Sequence, residues 1–173
     1  METAEQYTER ILKNLEGHEP FAVLTTTPKI IKKLIKEKSK KVLYQKVDPK
    51  KWSVTEIIGH LAETEVVIGW RYRSVAEKNG TVIQSFDQDI WAGNSNYNSL
   101  DVKDVLEMFT VLRKANVKFL MGLPKEKLNN FGLHQERGME SIQHIINLEA
   151  GHDLNHLKQI QNLLSPKKSG KKK

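Results

Sequence analysis

The stretch from Ser141 to Leu164 constrains the fold most, because its apolar residues recur at mixed steps of three and four. That spacing predicts an α-helix with one buried face. His152 and His156 lie four positions apart within it, so both imidazoles project from the same side of the helix, one turn apart. Two such histidines can bind one metal ion, but they leave much of its coordination sphere open. The pair is also consistent with two histidines of the core or the surface that are satisfied by hydrogen bonds.

Helical spacing also marks four other segments. A short N-terminal helix is predicted from Thr3 to Glu16, and three longer helices are predicted to begin near residues 28, 53 and 101. Thr3 and Ser53 each stand three residues before a Gln or Glu, which is the pattern of a capping box. Ser99 or Asp101 is expected to cap the helix that begins near residue 101. Pro28 suits the first turn of a helix, where its missing N–H costs no hydrogen bond.

The connections between these helices are predicted to be loops. Phe21 to Leu24 is expected to be a packed loop, Thr81 to Ser99 one long irregular connection, and Lys125 to Glu140 a further loop. No segment alternates convincingly between apolar and polar residues, as a half-buried strand would. The sequence therefore predicts an all-α protein. It is expected to be a four-helix bundle with an extra short N-terminal helix and a long loop between helices 2 and 3 of the bundle.

Length and composition predict one domain followed by a short tail. A chain of 173 residues is long enough to bury a sizeable core, and we assign the domain to residues 1–165. Residues 166–173 contain five lysines and no acid, so they are predicted to be disordered. The charged N-terminus does not resemble a signal peptide, and no apolar run approaches the roughly 18 residues of a membrane span. We therefore expect a cytoplasmic protein with no membrane contact.

The net charge of +7 is concentrated in two places. The five lysines of the tail leave about +2 for the rest of the chain. The second excess lies between Lys29 and Lys46, with eight lysines against one acid, but this stretch has no arginine and a single aromatic residue, Tyr44. Nucleic-acid surfaces usually combine lysines with arginines and aromatics. Nucleic acid is therefore disfavoured as a partner, and salt-sensitive binding through the tail is the form it would take.

The chain has no cysteine, which excludes disulfides, thiolate metal ligands and a cysteine nucleophile. Any metal site must be built from His, Asp or Glu. His60 stands beside the apolar stripe of the helix that is predicted to begin at Ser53. From spacing alone it can be a third ligand or a hydrogen-bonded core histidine.

Two sequence signatures resemble those of the DinB-like (YfiT-like) family. Residues 52–65, WSVTEIIGHLAETE, with Arg71 further along, look like the second-helix signature of that family, and residues 152–160, HDLNHLKQI, look like its fourth-helix signature. The resemblance extends in the right order over roughly residues 24–164. Weaker matches to the connecting motifs of the family occur at Leu24–Pro28, Phe86–Ala92 and Gly132–Gly138.

The resemblance implies a four-helix bundle that holds one divalent metal ion through His60, His152 and His156. Three imidazoles from two helices would leave coordination positions open to water or substrate, as in catalytic sites. Zinc or nickel is the expected metal, although neutral nitrogen ligands suit iron and copper as well. Relatives in the family include S-transferases and a maleylpyruvate isomerase that use bacillithiol or mycothiol, so a low-molecular-weight thiol is a further candidate cofactor. Dimers are common among such bundles, and by analogy a homodimer stays open.

Further residues are candidates for supporting the ligands or lining a pocket. The second nitrogen of a metal-bound imidazole needs a hydrogen-bond partner, and Glu63, Glu149 and Asp153 are acids near the three histidines in sequence. Basic and polar candidates for the pocket complete the set: Arg71, Arg73, His134 and Arg137.

Two classes of function remain besides nucleic-acid binding. The first is a metal-dependent enzyme, an S-transferase or hydrolase, in which the ion activates a thiol or a water for transfer to, or hydrolysis of, a small-molecule substrate. The second is a non-catalytic metal-binding stress-response protein that acts by association. Such a protein would expose an apolar patch and leave its metal no open position.

Overall fold

Within residues 2–165, which the computed structural model describes, the chain forms seven α-helices and three short strands. Four helices, the second, fourth, sixth and seventh, build the predicted four-helix bundle, and the first is the predicted extra N-terminal helix, packed along the seventh. The predicted disordered tail, residues 166–173, lies outside the described part. The elements are α1 (Ala4–Asn14), α2 (Pro20–Ile35), α3 (Lys40–Tyr44), α4 (Val54–Glu77), β1 (Thr81–Ile83), α5 (Gln88–Ser95), α6 (Val102–Met121), β2 (Phe131–His134), β3 (Gly138–Ser141) and α7 (Ile142–Leu164).

Side-chain caps fix the starts of the helices at three predicted positions. Thr3 and Ser53 form capping boxes with Gln6 and Glu56. Ser53 Oγ accepts from the backbone N–H of Glu56 at 3.2 Å, and Glu56 Oε2 accepts from the backbone N–H of Ser53 at 2.8 Å. Asp101 caps α6 through its side chain. Such caps satisfy backbone donors that a helix leaves free at its first turn.

The second helix begins earlier than predicted. α2 starts at Pro20 rather than Pro28, because the Glu19 carboxylate caps it with hydrogen bonds of 2.6 and 3.1 Å to two backbone N–H groups. The loop predicted up to Leu24 is helical, so that prediction was wrong. Pro28 lies inside the helix and has no N–H to donate to the carbonyl of Leu24, four residues earlier. Arg113 of α6 donates to that carbonyl instead, at 3.0 Å, so a tertiary contact satisfies the orphaned group.

A small sheet occupies parts of the two connections that were predicted to be loops. β1 pairs in parallel with β2, and β2 pairs antiparallel with β3. Ile83 lies opposite His134 across the first pair, and His134 lies opposite Gly138 across the second. The prediction of unbroken loops was wrong here, because strands of three or four residues are too short to reveal an alternating pattern. α5 forms a further ordered part of the connection between α4 and α6.

A buried polar layer separates two apolar clusters along the bundle. Along α4, one cluster includes residues 54–62 and the other residues 68–75. Between these clusters α4 contributes Glu65, α6 contributes Arg113 and α7 contributes Asp153, all of them buried. The candidate site borders this layer. None of the helices within residues 2–165 combines the length and the apolarity that a membrane crossing requires.

Candidate metal centre

Three histidines from two helices converge at the middle of the bundle. His60 comes from α4, and His152 and His156 come from successive turns of α7. The Nε2 atom of His152 lies 3.0 Å from Nε2 of His60 and 3.0 Å from Nε2 of His156. One nitrogen of each ring lies within 4.8 Å of the other two. All three residues are buried.

The donor set fits a divalent metal ion. Burial, reinforced by the charge of His156, lowers the pKa of His60 to about 3. Burial lowers the pKa of His156 to about 4 and that of His152 well below its ordinary value. All three rings are therefore neutral at neutral pH, with lone pairs to offer. Nitrogens bonded to one metal ion at about 2.0–2.1 Å lie roughly 2.9–3.4 Å apart at the usual angles, which is close to the observed 3.0 Å separations.

Trp52 forms one wall of the site. Its indole ring lies 4.6 Å from the ring centre of His60 and 6.2 Å from that of His156. The capping box at Ser53 fixes the residue that follows Trp52 and so holds the indole at the start of α4. An aromatic wall lowers the local polarity around the imidazoles and limits the access of water from that side.

Two cavities reach the histidines. The larger, of about 800 Å³, is lined by His60 and His152 and extends toward Arg71 and His134. The smaller, of about 530 Å³, is lined by His152 and His156 together with Trp52. The cluster thus has access to space on two sides, which a closed structural site would not have.

The three acids predicted to support the histidines contact other groups. Ser95 donates to Glu63. Tyr72 donates to Glu149 Oε2 at 2.5 Å, and Asp153 accepts from the guanidinium of Arg113 in α6. No hydrogen bond joins these carboxylates to a histidine ring within residues 2–165, and the Nδ1 atoms of His60 and His152 are buried without a partner.

Gln159 supports one histidine, and sequence reasoning missed it. Its Oε1 atom lies 2.9 Å from Nδ1 of His156, which leaves Nε2 free to face the other two rings. Gln159 follows His156 by three positions on the same helix face. That i,i+3 spacing was the available signal.

Arg113 is a second residue that the sequence did not reveal. Its guanidinium donates to Glu65 Oε1 at 2.7 Å and to Asp153 Oδ2 at 2.5 Å, and its Nε lies 3.3 Å from Glu149 Oε1. Burial, followed by the charge of Glu65, raises the pKa of Glu149 well above its ordinary value. Three acidic side chains, those of Glu65, Glu149 and Asp153, thus surround one guanidinium near the histidines.

The basic candidates separate into two groups. Arg71, His134 and Arg137 line the larger cavity, where Arg137 pairs with Glu140 at 2.6 Å. Arg73 points elsewhere, since its Nη1 donates to the carbonyl of Gly69 at 2.7 Å and to Asn116 at 2.9 Å. His134, predicted to lie in a loop, ends β2 and is buried.

The fold and the histidine cluster define a four-helix-bundle protein with a candidate metal centre. The chain belongs to the DinB superfamily, whose family model matches residues 2–160. The family expected from the two helical signatures is therefore confirmed.

Two similar proteins extend this comparison. A protein of Oceanobacillus iheyensis named "Putative metal-dependent hydrolase OB0782" is 28% identical over 116 residues, which are 67% of this chain and 67% of that protein. The structure of YfiT from Bacillus subtilis, described as "a probable metal-dependent hydrolase with an unusual four-helix bundle topology", has a TM-score of 0.73 and 16% identity. The match covers 92% of this chain and 88% of that one. At this identity the likeness concerns the fold, and it confirms the predicted bundle.

Proposed function

We propose that this protein is a metal-dependent hydrolase of small molecules in which His60, His152 and His156 hold a divalent ion, zinc or nickel. The observation that carries the proposal is the convergence of three neutral Nε2 atoms, 3.0 Å apart in two pairs, beside two cavities. The printed name of the Oceanobacillus iheyensis relative, "Putative metal-dependent hydrolase OB0782", supports the same reaction class.

A divalent ion bound there would lower the pKa of a water and polarise a carbonyl or similar group of the substrate. The chain's own residues would do the rest. Gln159 fixes the tautomer and the orientation of His156. Trp52 shields His60 from solvent on one side. The larger cavity, about 800 Å³, is of the size that holds a small organic substrate.

Thiol transfer is the second candidate, and the smaller cavity favours it. That cavity reaches His152 and His156, and its lining includes Lys50 and Lys51 beside Asp89, and Arg10, which pairs with Glu2. A second, basic entrance to the same histidines suits a second reactant that is anionic, such as a low-molecular-weight thiol. The same ion would bind and activate that thiol as a thiolate.

Elemental analysis of purified, untagged protein tests the metal site. Metal-free protein is reconstituted with zinc or nickel, dialysed and compared with the variants His60→Ala and His156→Ala. We expect one equivalent in the wild type and a loss of bound metal in both variants. His144→Ala, which removes an imidazole in the first turn of α7, is the matched control and should keep one equivalent. A full equivalent in His156→Ala would overturn the ligand assignment.

Turnover distinguishes the two reactions. A panel of chromogenic esters and amides is assayed with zinc-loaded and nickel-loaded protein, without a thiol and then with one. Metal-dependent hydrolysis without thiol, absent from correctly folded His156→Ala, is the expected result. A strict requirement for thiol, with a thioester product and release of the alcohol or amine of the substrate, would replace hydrolysis by thiol transfer. Protein that holds no metal under any condition would overturn both.

A further inference from the structure

Arg71 of α4 carries a buried charge without a carboxylate partner. The residue is 2% exposed, and within residues 2–165 no acid lies within ion-pair distance of its guanidinium. Its Nη2 donates to the carbonyl of Gln84 at 2.5 Å, and its Nε is buried with no hydrogen-bond partner. Arg113, which is equally buried, is surrounded by three acidic side chains. A buried cation is costly without an anion, so Arg71 calls for one from outside the chain.

The neighbouring imidazole of His134 also has an N–H group that lacks an acceptor. Its Nδ1 accepts from the backbone N–H groups of Glu136 and Arg137, at 3.2 and 3.3 Å. Burial, followed by the charges of Arg137 and Arg71, lowers the pKa of His134 to about 4, so the ring is neutral at neutral pH. A neutral imidazole has one N–H. Because Nδ1 accepts, that hydrogen must be on Nε2.

Two donors therefore face each other. Nε2 of His134 lies 3.3 Å from Nη2 of Arg71, and each nitrogen carries a hydrogen. Neither can accept from the other, since a guanidinium has no acceptor and the protonated Nε2 has no lone pair to offer. An oxygen that accepts from both would complete the arrangement.

The charges around Arg71 and His134 favour a ligand with a single negative charge. Glu140 neutralises Arg137 through hydrogen bonds of 2.6 and 3.0 Å, and His134 is uncharged. Arg71 is then the cation left without an ion pair, while Glu136, also on the cavity wall, adds a negative charge that further disfavours a dianion. A carboxylate matches the charge of Arg71 and the planar geometry of a guanidinium, whereas a phosphate dianion brings one negative charge too many.

We propose that the substrate of this protein carries a carboxylate, which binds Arg71 and the Nε2–H of His134. Arg71, His134, His60 and His152 line one and the same cavity of about 800 Å³. A carboxylate held by the first two would therefore place the rest of a small molecule in the space next to the histidines. That the bound carboxylate belongs to a substrate rests on the proposed metal-dependent reaction. The anion site itself depends only on residues of this chain.

Nuclear magnetic resonance of ¹⁵N-labelled protein tests the anion site directly. The Nε–Hε signal of Arg71 is followed while sodium benzoate is added at constant ionic strength, with sodium phosphate and sodium chloride as the other arms. We expect a saturable shift with benzoate, a weaker response to phosphate and none to chloride. Tighter binding of phosphate would overturn the carboxylate assignment, and the absence of any saturable shift would overturn the site.

Two variants locate the binding. Arg71→Gln should weaken benzoate binding at least about tenfold, measured by calorimetry, and His134→Phe should weaken it several-fold with Arg71 intact. Arg73→Gln, two residues along the same helix and bonded to Gly69 and Asn116, is the matched control and should bind as the wild type does. Unchanged binding in both Arg71→Gln and His134→Phe would overturn the proposal.

Metal content, measured on the same samples, separates this inference from the proposed function. Benzoate binding in protein that never takes up metal would leave the anion site standing and remove the metal-dependent reaction. One equivalent of bound metal without benzoate binding would leave the metal-dependent reaction standing and overturn the anion site.

Discussion

Asp153 accepts two hydrogen bonds from the guanidinium of Arg113, at 2.5 and 2.9 Å, directly beside His152 in the chain. Neighbouring residues of an α-helix project about 100° apart. Pinning Asp153 to α6 therefore fixes the rotation of α7 and directs His152 to the side where His60 lies. The buried ion pair acts as a positioning device for the histidine cluster.

Removal of the guanidinium should destabilise the fold strongly. Arg113→Met leaves the buried Asp153 and Glu65 without a counter-charge, and breaking one side of a buried pair costs about 3–5 kcal/mol of unfolding free energy. Urea denaturation of metal-free protein, followed by circular dichroism, measures the loss. Arg10→Met, which breaks an exposed ion pair with Glu2, is the control and should have a much smaller effect. Equal stability of Arg113→Met and the wild type would contradict the role given to this pair.

Gly151 precedes His152, and because it has no side chain, α1 can pack close to α7 at this point. A Cβ atom on Gly151 would lie 2.2 Å from the carbonyl oxygen of Ile11. Gly151→Ala must therefore push α1 away from α7, at a cost of about 1–3 kcal/mol. Gly93→Ala, in α5, meets nothing within 4 Å and should be neutral or stabilising by up to about 1 kcal/mol. Thermal melts of the two variants against the wild type give the comparison, and equal melting temperatures would refute it.

The sequence predicted the parts of the fold that local chemistry decides. The capping boxes at Thr3 and Ser53 and the cap at Asp101 need only residues within one turn, and all three are present. The start of α2 was misplaced because Pro28 is a favourable first-turn residue. Inside the helix Pro28 leaves the carbonyl of Leu24 without its usual donor, and Arg113, 89 positions from Leu24, donates to that carbonyl instead. No local pattern contains that contact.

In the candidate site too, local spacing predicted some residues, whereas others are brought together only by the fold. Spacing alone pairs His152 with His156, whereas His60 came in through the family signature, since α4 and α7 are far apart in the chain. Glu149 and Asp153 were placed beside the histidines by their sequence positions, but both turn toward Arg113. A helix shows each residue to a different neighbour, so closeness in sequence does not predict contact between side chains.

Trp52 should report metal binding through its fluorescence. Its ring lies 4.6 Å from that of His60, and a paramagnetic ion such as Ni²⁺ or Co²⁺ bound at the histidines would quench the indole emission. We expect Trp52→Phe to lose the quenching while Trp70→Phe, whose tryptophan is half exposed, keeps it. Stoichiometric titration of metal-free protein supplies the measurement. Full quenching in Trp52→Phe would place the ion elsewhere.

His134 should make the stability of the metal-free protein depend on pH. In the folded protein its pKa is about 4, lowered by burial and then by the charges of Arg137 and Arg71, with Glu140 and Glu136 opposing the shift. The ordinary value is about 6.5. Between these two pH values the unfolded chain binds a proton that the folded chain does not, so this residue reduces stability progressively as the pH falls from 6.5 to 4.

His134→Gln removes that contribution. The variant should lose less unfolding free energy than the wild type over this range, with a slope that differs by up to about 1.4 kcal/mol per pH unit. Above pH 7 the two proteins should have parallel pH profiles, because His134 is then neutral in both states. Urea denaturation at half-unit steps from pH 4 to 8 supplies the two profiles. Identical slopes between pH 4 and 6.5 would mean that the folded protein takes up the proton at His134 as readily as the unfolded chain does.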